Sequence, residues 1–387
     1  MMRKFSYDFC MLLILHKGAA FLAPTSVRGM SKMLLQEASA TASGVEVEPF
    51  CLHPIDYSAA NEYIGEHYRH VFRDEAYFGN GNPGPFDEDN YMNHPREPIY
   101  DARQGVIKKS SSGDIERSPP RLAQDGFTLF QAPTKVTNFN DLPQIKSVYI
   151  PELQQTIEND VFPGQELSHV VFWNPMFRGE QQKVSNAERD MTSPNSPTSP
   201  TAGMVHIDQD LGAHSTDSIL GLIQNNRLLE EDGKEFPKIE EAIDNGHRFA
   251  ILNFWRNAGS EPIRRQPLAV LSPHYSTGTY FPNDKPDPES SFWYTFPEMT
   301  PDEVLVFKQY DRDGSFLSDI WHCALKSVVD ESAPPRESFD IRALVVFPEK
   351  VESNKDRFSE DRLQPVLDLE QSGEFCDEQA EKRSSQK

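Results

Sequence analysis

The sequence predicts a mainly β protein, an antiparallel sandwich or barrel with flanking helices. Three observations carry that reading. Between residues 247 and 348, six short runs rich in β-branched and aromatic residues follow one another, separated by polar loops. Few helical stretches interrupt them. The composition, 37% hydrophobic and 25% charged over 387 residues, is ordinary for a soluble chain that buries a core and carries polar tails. The length allows one large domain or two ordinary ones.

Residues 1–48 read as a targeting presequence or a disordered tail. Basic residues open MMRKFSYDFCMLLILHKGAAFLAPTS, the short apolar run CMLLIL follows, and small residues come next at GAA. The junction GAAFLAPTS resembles that of two-part plastid-targeting presequences in algae with secondary plastids. The compartment expected is therefore intracellular, a plastid if the presequence acts and the cytoplasm otherwise. No apolar run reaches the roughly 18 residues that span a membrane. Residues 49–120 are rich in Pro, Gly, Asn and charge and predict an extended N-terminal wrap.

The predicted core, 121–365, opens with a strand at 126–133 (GFTLFQAP). A helix follows from Glu152, since Pro151 suits a first helical position. SHVVFWNP, 168–175, predicts a strand ending at Pro175. Then GEQQKVSNAERDMTSPNSPTSPTAG, 179–203, holds almost no apolar residue and repeats Ser-Pro, which predicts a mobile loop. Residues 217–246 place Ile219, Leu220, Ile223, Leu228 and Leu229 at helical spacing. The six β-type runs are 247–257, 266–273, 291–297, 302–310, 320–327 and 338–348, and 366–387 reads as a disordered acidic tail.

Charge and cysteines narrow the function. A net charge of −22 argues against a nucleic-acid binder, which needs a basic face. Four cysteines without C-x-x-C spacing form neither a disulfide framework nor a zinc site.

The informative stretch is MVHIDQD, 204–210, at the end of the Ser-Pro segment. His206 and Asp208 stand two apart, and residues i and i+2 of an extended strand share a face. Among eleven histidines only His206 has an acid two places later. Two histidines and one carboxylate on one face of a metal suit a mononuclear Fe(II) oxygenase, because they leave positions open for oxygen and a co-substrate. H-x-D alone fits a plain structural pair equally well. His322, in IWHCAL, is the candidate third ligand, and by itself a core histidine explains it better.

The following segment shifts the balance. Arg336-x-Ser338 begins fourteen residues after His322 at the head of a strand. A planar guanidinium with a neighbouring hydroxyl suits the far carboxylate of a dicarboxylate co-substrate such as 2-oxoglutarate. Arg342 shares that face by parity and lies among apolar residues, so it requires an anion: Asp340, Asp311 or the co-substrate. An identical spacing at Arg357-x-Ser359 lies outside any strand signal.

The order H-x-D, distal His, R-x-S is more specific than its parts. The segments VHIDQD, NFWRN, WYTFPEMTPDEVLVFKQYDRDG, HCAL and PRESFDIRALVVF resemble the hydroxylase/desaturase family named after AsaB and CmcJ, and YDARQG, DGFTLFQAPTKVTNFND, SVYIPEL and NPMFRG agree with it. The resemblance covers roughly 90–350. It implies a double-stranded β-helix (jelly-roll, cupin-like) core, Fe(II) as metal and 2-oxoglutarate as co-substrate. The implied activity is a dioxygenase that hydroxylates or desaturates a small metabolite, mainly in secondary metabolism, with dioxygen as the other reactant. By position, His206, Asp208 and His322 would be the catalytic metal ligands and Arg336 and Ser338 the co-substrate clamp, with Arg342 a second candidate for it. The Ser-Pro insert and the 114 residues between Asp208 and His322 depart from the simple pattern.

Other residues are candidates for the substrate pocket. Asn253 and Trp255 share one strand face in NFWRN and Arg256 takes the other; a packed tryptophan and a surface arginine explain them as well. Lys308 and Tyr310 share a face in FKQYD by parity. Lys308 holds an acidic substrate or pairs with Asp302 or Asp311. Arg178 ends FWNPMFR near the same place. Two rival readings stand beside the oxygenase. One is a non-catalytic cupin-like binding module with a relic metal site. The other, a methyltransferase-associated protein, needs a Gly-rich nucleotide turn after a strand, and GNGNPG at 79–84 has no strand before it.

Overall fold

The fold is that of a computed structural model, which describes residues 47–55, 96–109, 115–179, 201–208, 216–272, 292–313 and 320–351. The expected presequence up to residue 46, the bulk of the expected mobile loop (180–200) and the expected acidic tail lie outside the described residues.

The chain is mainly β. One five-stranded sheet runs β1 (Cys51–Pro54), β2 (Arg96–Asp101), β9 (Phe292–Thr295), β8 (Leu268–Ser272), β11 (His322–Ala324). The other runs β5 (Phe127–Gln131), β10 (Glu303–Asp311), β7 (His247–Asn257), β12 (Glu337–Lys350), β6 (His169–Gly179). β3 (Val106–Lys109) and β4 (Ile115–Ser118) form a separate hairpin. Every pairing is antiparallel except β2 with β9. The stretch expected to wrap the core thus contributes β1 and β2 to a sheet of the sandwich itself.

The two sheets bury one interior between them. Tyr100, Val270 and Tyr294 of the first meet Phe127, Trp255, Leu305 and Phe307 of the second. The second sheet is covered on its other face as well. Leu252, Phe254, Val304, Ile341 and Ala343 pack on a helix that runs through Leu142–Gln144, Ile145–Tyr149, Ile150–Thr156 and Ile157–Val161, here α1. Burial on both faces explains why β7 and β12 read as nearly unbroken apolar runs. The expected helix at 217–246 is two helices, α2 (Thr216–Asn226) and α3 (Asp232–Asp244), which pack on Phe249, Ile251, Leu344 and Val346.

Two boundaries differ from the sequence reading, and proline is the reason in each. α1 starts at Leu142, one proline earlier than expected, with Pro143 in its first turn. It passes Pro151 through π-type turns on either side, in which the Ile150 N–H reaches back to Ile145. Wider turns absorb the amide hydrogen that proline lacks. β6 does not stop at Pro175. Its pairing with β12 steps from Arg342↔Trp173 to Asp340↔Met176, so Asn174 and Pro175 form a bulge, with Asn174 at φ 50°. A bulge residue needs no ladder N–H, which lets a proline sit inside a strand.

Candidate metal centre

His206 lies just past the end of the Ser-Pro segment, bridged antiparallel to His322 at the start of β11. The two residues exchange both backbone bonds, His206 N–H to His322 at 3.1 Å and the reverse at 3.0 Å. That pairing brings a residue of a short edge segment beside one 116 positions away, with ring centroids 4.2 Å apart.

Each imidazole has its Nδ1 on a backbone carbonyl two residues back, His206 on Met204 at 2.9 Å and His322 on Ile320 at 3.2 Å. A carbonyl only accepts, so Nδ1 carries the hydrogen and Nε2 keeps its lone pair. Both Nε2 atoms face Asp208: His206 is 3.7 Å from Oδ1 and His322 is 3.6 Å from Oδ2. All three ligand-type atoms lie within 4.8 Å of one another, and among the described residues no other group of three His, Cys, Asp or Glu side chains converges in this way. Ligand atoms that sit about 2 Å from an ion on adjacent positions are roughly 3 Å apart, so two imidazoles and one carboxylate here fit a divalent metal with modest closure.

The electrostatics favour the ligating forms. Burial, and then the neighbouring His206, push His322 down to about 3, so it is neutral at ordinary pH. Burial would raise the Asp208 carboxyl, but Arg342, His322 and His206 together outweigh it and hold the group well below the usual carboxylate range. Arg342 Nη2 is 2.6 Å from Asp208 Oδ1, and Asn253 Nδ2 donates to Oδ2. The Asp208 N–H donates to Gln309 Oε1 at 2.8 Å, and the Gln309 amide donates to the Ile320 carbonyl at 3.3 Å. The ligand loop is thereby tied to β10 and to the approach of β11.

Arg336 and Ser338 are together, as their spacing suggests. The Arg336 Nε and Nη2 atoms donate to Ser338 Oγ at 3.1 and 3.0 Å, and Nη1 donates to the Gln266 carbonyl. The guanidinium lies 4.9 Å over the Trp255 ring. Arg336, Asn253, Trp255, Phe307, Arg178 and Asp340 line one cavity with His206, Asp208 and His322.

The remaining candidates divide. Arg178 reaches this cavity and its Nε donates to Asp340 Oδ2 at 3.0 Å. Arg342 is on the Asp208 carboxylate rather than lining the cavity. Arg256 is on the opposite face of β7 from Trp255. There it donates to the carbonyls of Ala132 and Pro301 and lies 5.3 Å from the rings of Phe139 and Tyr149. Lys308 is buried against Asp311 at 2.8 Å. Tyr310 packs on Phe249 with centroids 4.9 Å apart. Parity placed Lys308 and Tyr310 on one face, but the β10 register jumps from Lys308↔Leu252 to Tyr310↔Ile251, and this bulge puts them on opposite faces. Sequence reading missed Gln309 and the cavity position of Asp340. Each is a polar residue inside an otherwise apolar strand, which is the signal that could have found them.

Two sheets enclosing a pair of histidines and a carboxylate define the class: a β-sandwich protein with a candidate mononuclear metal centre of the two-histidine, one-carboxylate type. A family model described as an oxidoreductase/YMDC permease-like domain matches residues 91–346. The alpha-ketoglutarate-dependent dioxygenase phiK of a fungal species is 26% identical over 276 residues, covering 65% of this chain and 88% of the relative. The hydroxylase/desaturase efuI of Hormonema carpetanum is 29% identical over 278 residues, covering 64% of this chain and 84% of the relative. Among solved structures, the iron and alpha-ketoglutarate-dependent endoperoxidase NvfI aligns with a TM-score of 0.43 and 21% identity over 66% of this chain and 86% of its own. The chain belongs to this oxidoreductase family.

Proposed function

We propose that the protein is an Fe(II)- and 2-oxoglutarate-dependent dioxygenase that hydroxylates or desaturates a C–H bond of a small metabolite, in secondary metabolism. One observation carries the reading: two imidazoles with Nδ1 committed to carbonyls turn their Nε2 lone pairs toward one carboxylate inside a lined cavity. The names of the relatives support it. The two stacked five-stranded sheets support a double-stranded β-helix core.

In this reading His206, Asp208 and His322 hold the iron. Arg336 takes the far carboxylate of 2-oxoglutarate, with Ser338 completing the grip. Iron and 2-oxoglutarate together supply, from dioxygen, the oxidising power for an unactivated C–H bond. The chain's own residues do the rest. Arg342 and Asn253 fix the Asp208 carboxylate, Gln309 fixes its backbone, and Phe307, centred 4.8 Å from the His322 ring, keeps water from that ligand. Substrate placement in the cavity decides between hydroxylation and desaturation.

The test is anaerobic and uses the full chain. Fe(II) followed by 2-oxoglutarate is expected to give a weak visible charge-transfer band that needs both and is lost in His206→Ala and in Arg336→Ala. Iron-loaded, folded protein without that band would reject the assignment in favour of a non-catalytic binding module.

A further inference from the structure

We propose that Asp340 is a substrate-recognition residue and that the substrate presents a hydroxyl group to it. The proposal rests on the iron and 2-oxoglutarate reading above and deepens it by naming a substrate class.

The inner face of β12 carries three polar residues two apart. Ser338 accepts the Arg336 fork, and Arg342 holds Asp208. Asp340 stands between them, 4% exposed, on the wall of the same cavity. Its Oδ2 accepts from Arg178, but its Oδ1 is buried and accepts no hydrogen bond among the described residues. Trp255 is its register partner on β7, lines the same cavity, and has a buried indole N–H with no acceptor among the described residues. Buried polar atoms without partners are rare, because each forfeits its bonds to water. An acceptor and a donor without partners among the described residues, on two register partners that both line the cavity, are complementary to a group that donates once and accepts once. A hydroxyl does both, whereas a ketone or ether brings only lone pairs to the carboxylate. A carboxylate would bring a like charge. Of the candidate cations for an acidic substrate, Lys308 is held by Asp311, Arg342 by Asp208 and Arg256 lies beyond the sheet, while Arg178, on the cavity wall, pairs with Asp340 itself.

The experiment titrates two size-matched probes, cyclohexanol and cyclohexanone, into full-length protein loaded anaerobically with Fe(II) and 2-oxoglutarate. Binding is read as a shift of the charge-transfer band. The wild type is expected to bind the alcohol at least about tenfold more tightly than the ketone, roughly the worth of one hydrogen bond to a charged group. In Asp340→Asn the amide oxygen is kept by Arg178 and the NH₂ turns to the cavity, so the preference falls to parity or reverses. A packing role would weaken both probes alike and leave the ratio unchanged. Equal affinities in the wild type, an unchanged ratio in Asp340→Asn, or binding of neither probe would overturn the proposal. The wild-type ratio decides alone if the variant does not fold. A missing band before any probe is added counts against the metal and co-substrate reading instead. The ratio is then read by ligand-observed saturation-transfer NMR on the same protein, which keeps the two failures apart.

Discussion

The two faces of β12 are equally buried and chemically opposite. Phe339, Ile341 and Ala343 point to α1, and Ser338, Asp340 and Arg342 lie on the opposite face, where Ser338 meets Arg336, Asp340 lines the cavity and Arg342 meets Asp208. Burial of the first set is favourable in itself, at about 25 cal/mol per Å² of apolar surface. Burial of the second costs free energy unless each charge finds a partner. One strand thus separates stability from chemistry by parity alone, and substitutions on its two faces should produce different kinds of damage.

The largest effect is expected where a buried charge loses its partner. Arg342→Met should destabilise the metal-free protein by about 3–5 kcal/mol, because Asp208 stays buried without its cation. Denaturant unfolding measures this. Added Mn(II) should restore part of the loss, since a divalent ion on Asp208 replaces the missing charge. Equal destabilisation with and without metal would mean that Arg342 acts through packing on Trp173, 5.5 Å away, and not through Asp208.

Ile341→Ala, on the other face, should cost about 2–5 kcal/mol by opening a cavity under α1. Its affinity for 2-oxoglutarate, measured by the charge-transfer titration, should be unchanged. A large affinity change would show that the two faces are coupled, and the separation by parity would fail.

Arg336→Lys keeps the charge and removes the fork. It should weaken 2-oxoglutarate by about 1.5–3 kcal/mol, tenfold or more, while leaving metal binding intact. This sharpens the comparison, because an inner-face function is lost without loss of fold.

Which parts of this were legible in the sequence follows from how local each signal is. The H-x-D pair and Arg336-x-Ser338 are each set by two residues two positions apart in one short segment, so spacing alone reads them. β7 and β12 are long, nearly unbroken apolar runs, and composition alone reads those. The misreadings within the sheets depend on non-local pairing. Lys308 and Tyr310 were placed on one face because parity counting cannot see the bulge between them, which exists only relative to β7. β6 was cut short at Pro175 because its bulge exists only relative to β12. Arg342 was rightly expected to need an anion, but three were in view, and the one it meets, Asp208, is 134 residues away and was not among them. Asp340 was seen only as a possible partner for that arginine. Its place on the cavity wall follows from the β7 register opposite Trp255.

The smallest effect concerns pH and tests whether the inner face is stable because its groups are held in one protonation state. His322 falls from its ordinary 6.5 to about 3 in the folded chain, first through burial and then through His206. The unfolded chain therefore binds the extra proton between those values, and stability is full above about pH 6.5 and declines as pH falls toward 3. At pH 5.5, one unit below the unfolded value, the loss from this one group is about 1.4 kcal/mol. His53, lowered to about 4 chiefly by burial, declines in the same direction from the far edge of the same sheet. The informative quantity is thus the difference between the wild type and His322→Gln, unfolded metal-free at pH 7.5 and at 5.5. The variant should lose the His322 share of the slope and keep the shares of His53, His169 and Asp232. An identical slope in both would mean that His322 is protonated in the fold, and its Nε2 would then have no lone pair to offer a metal.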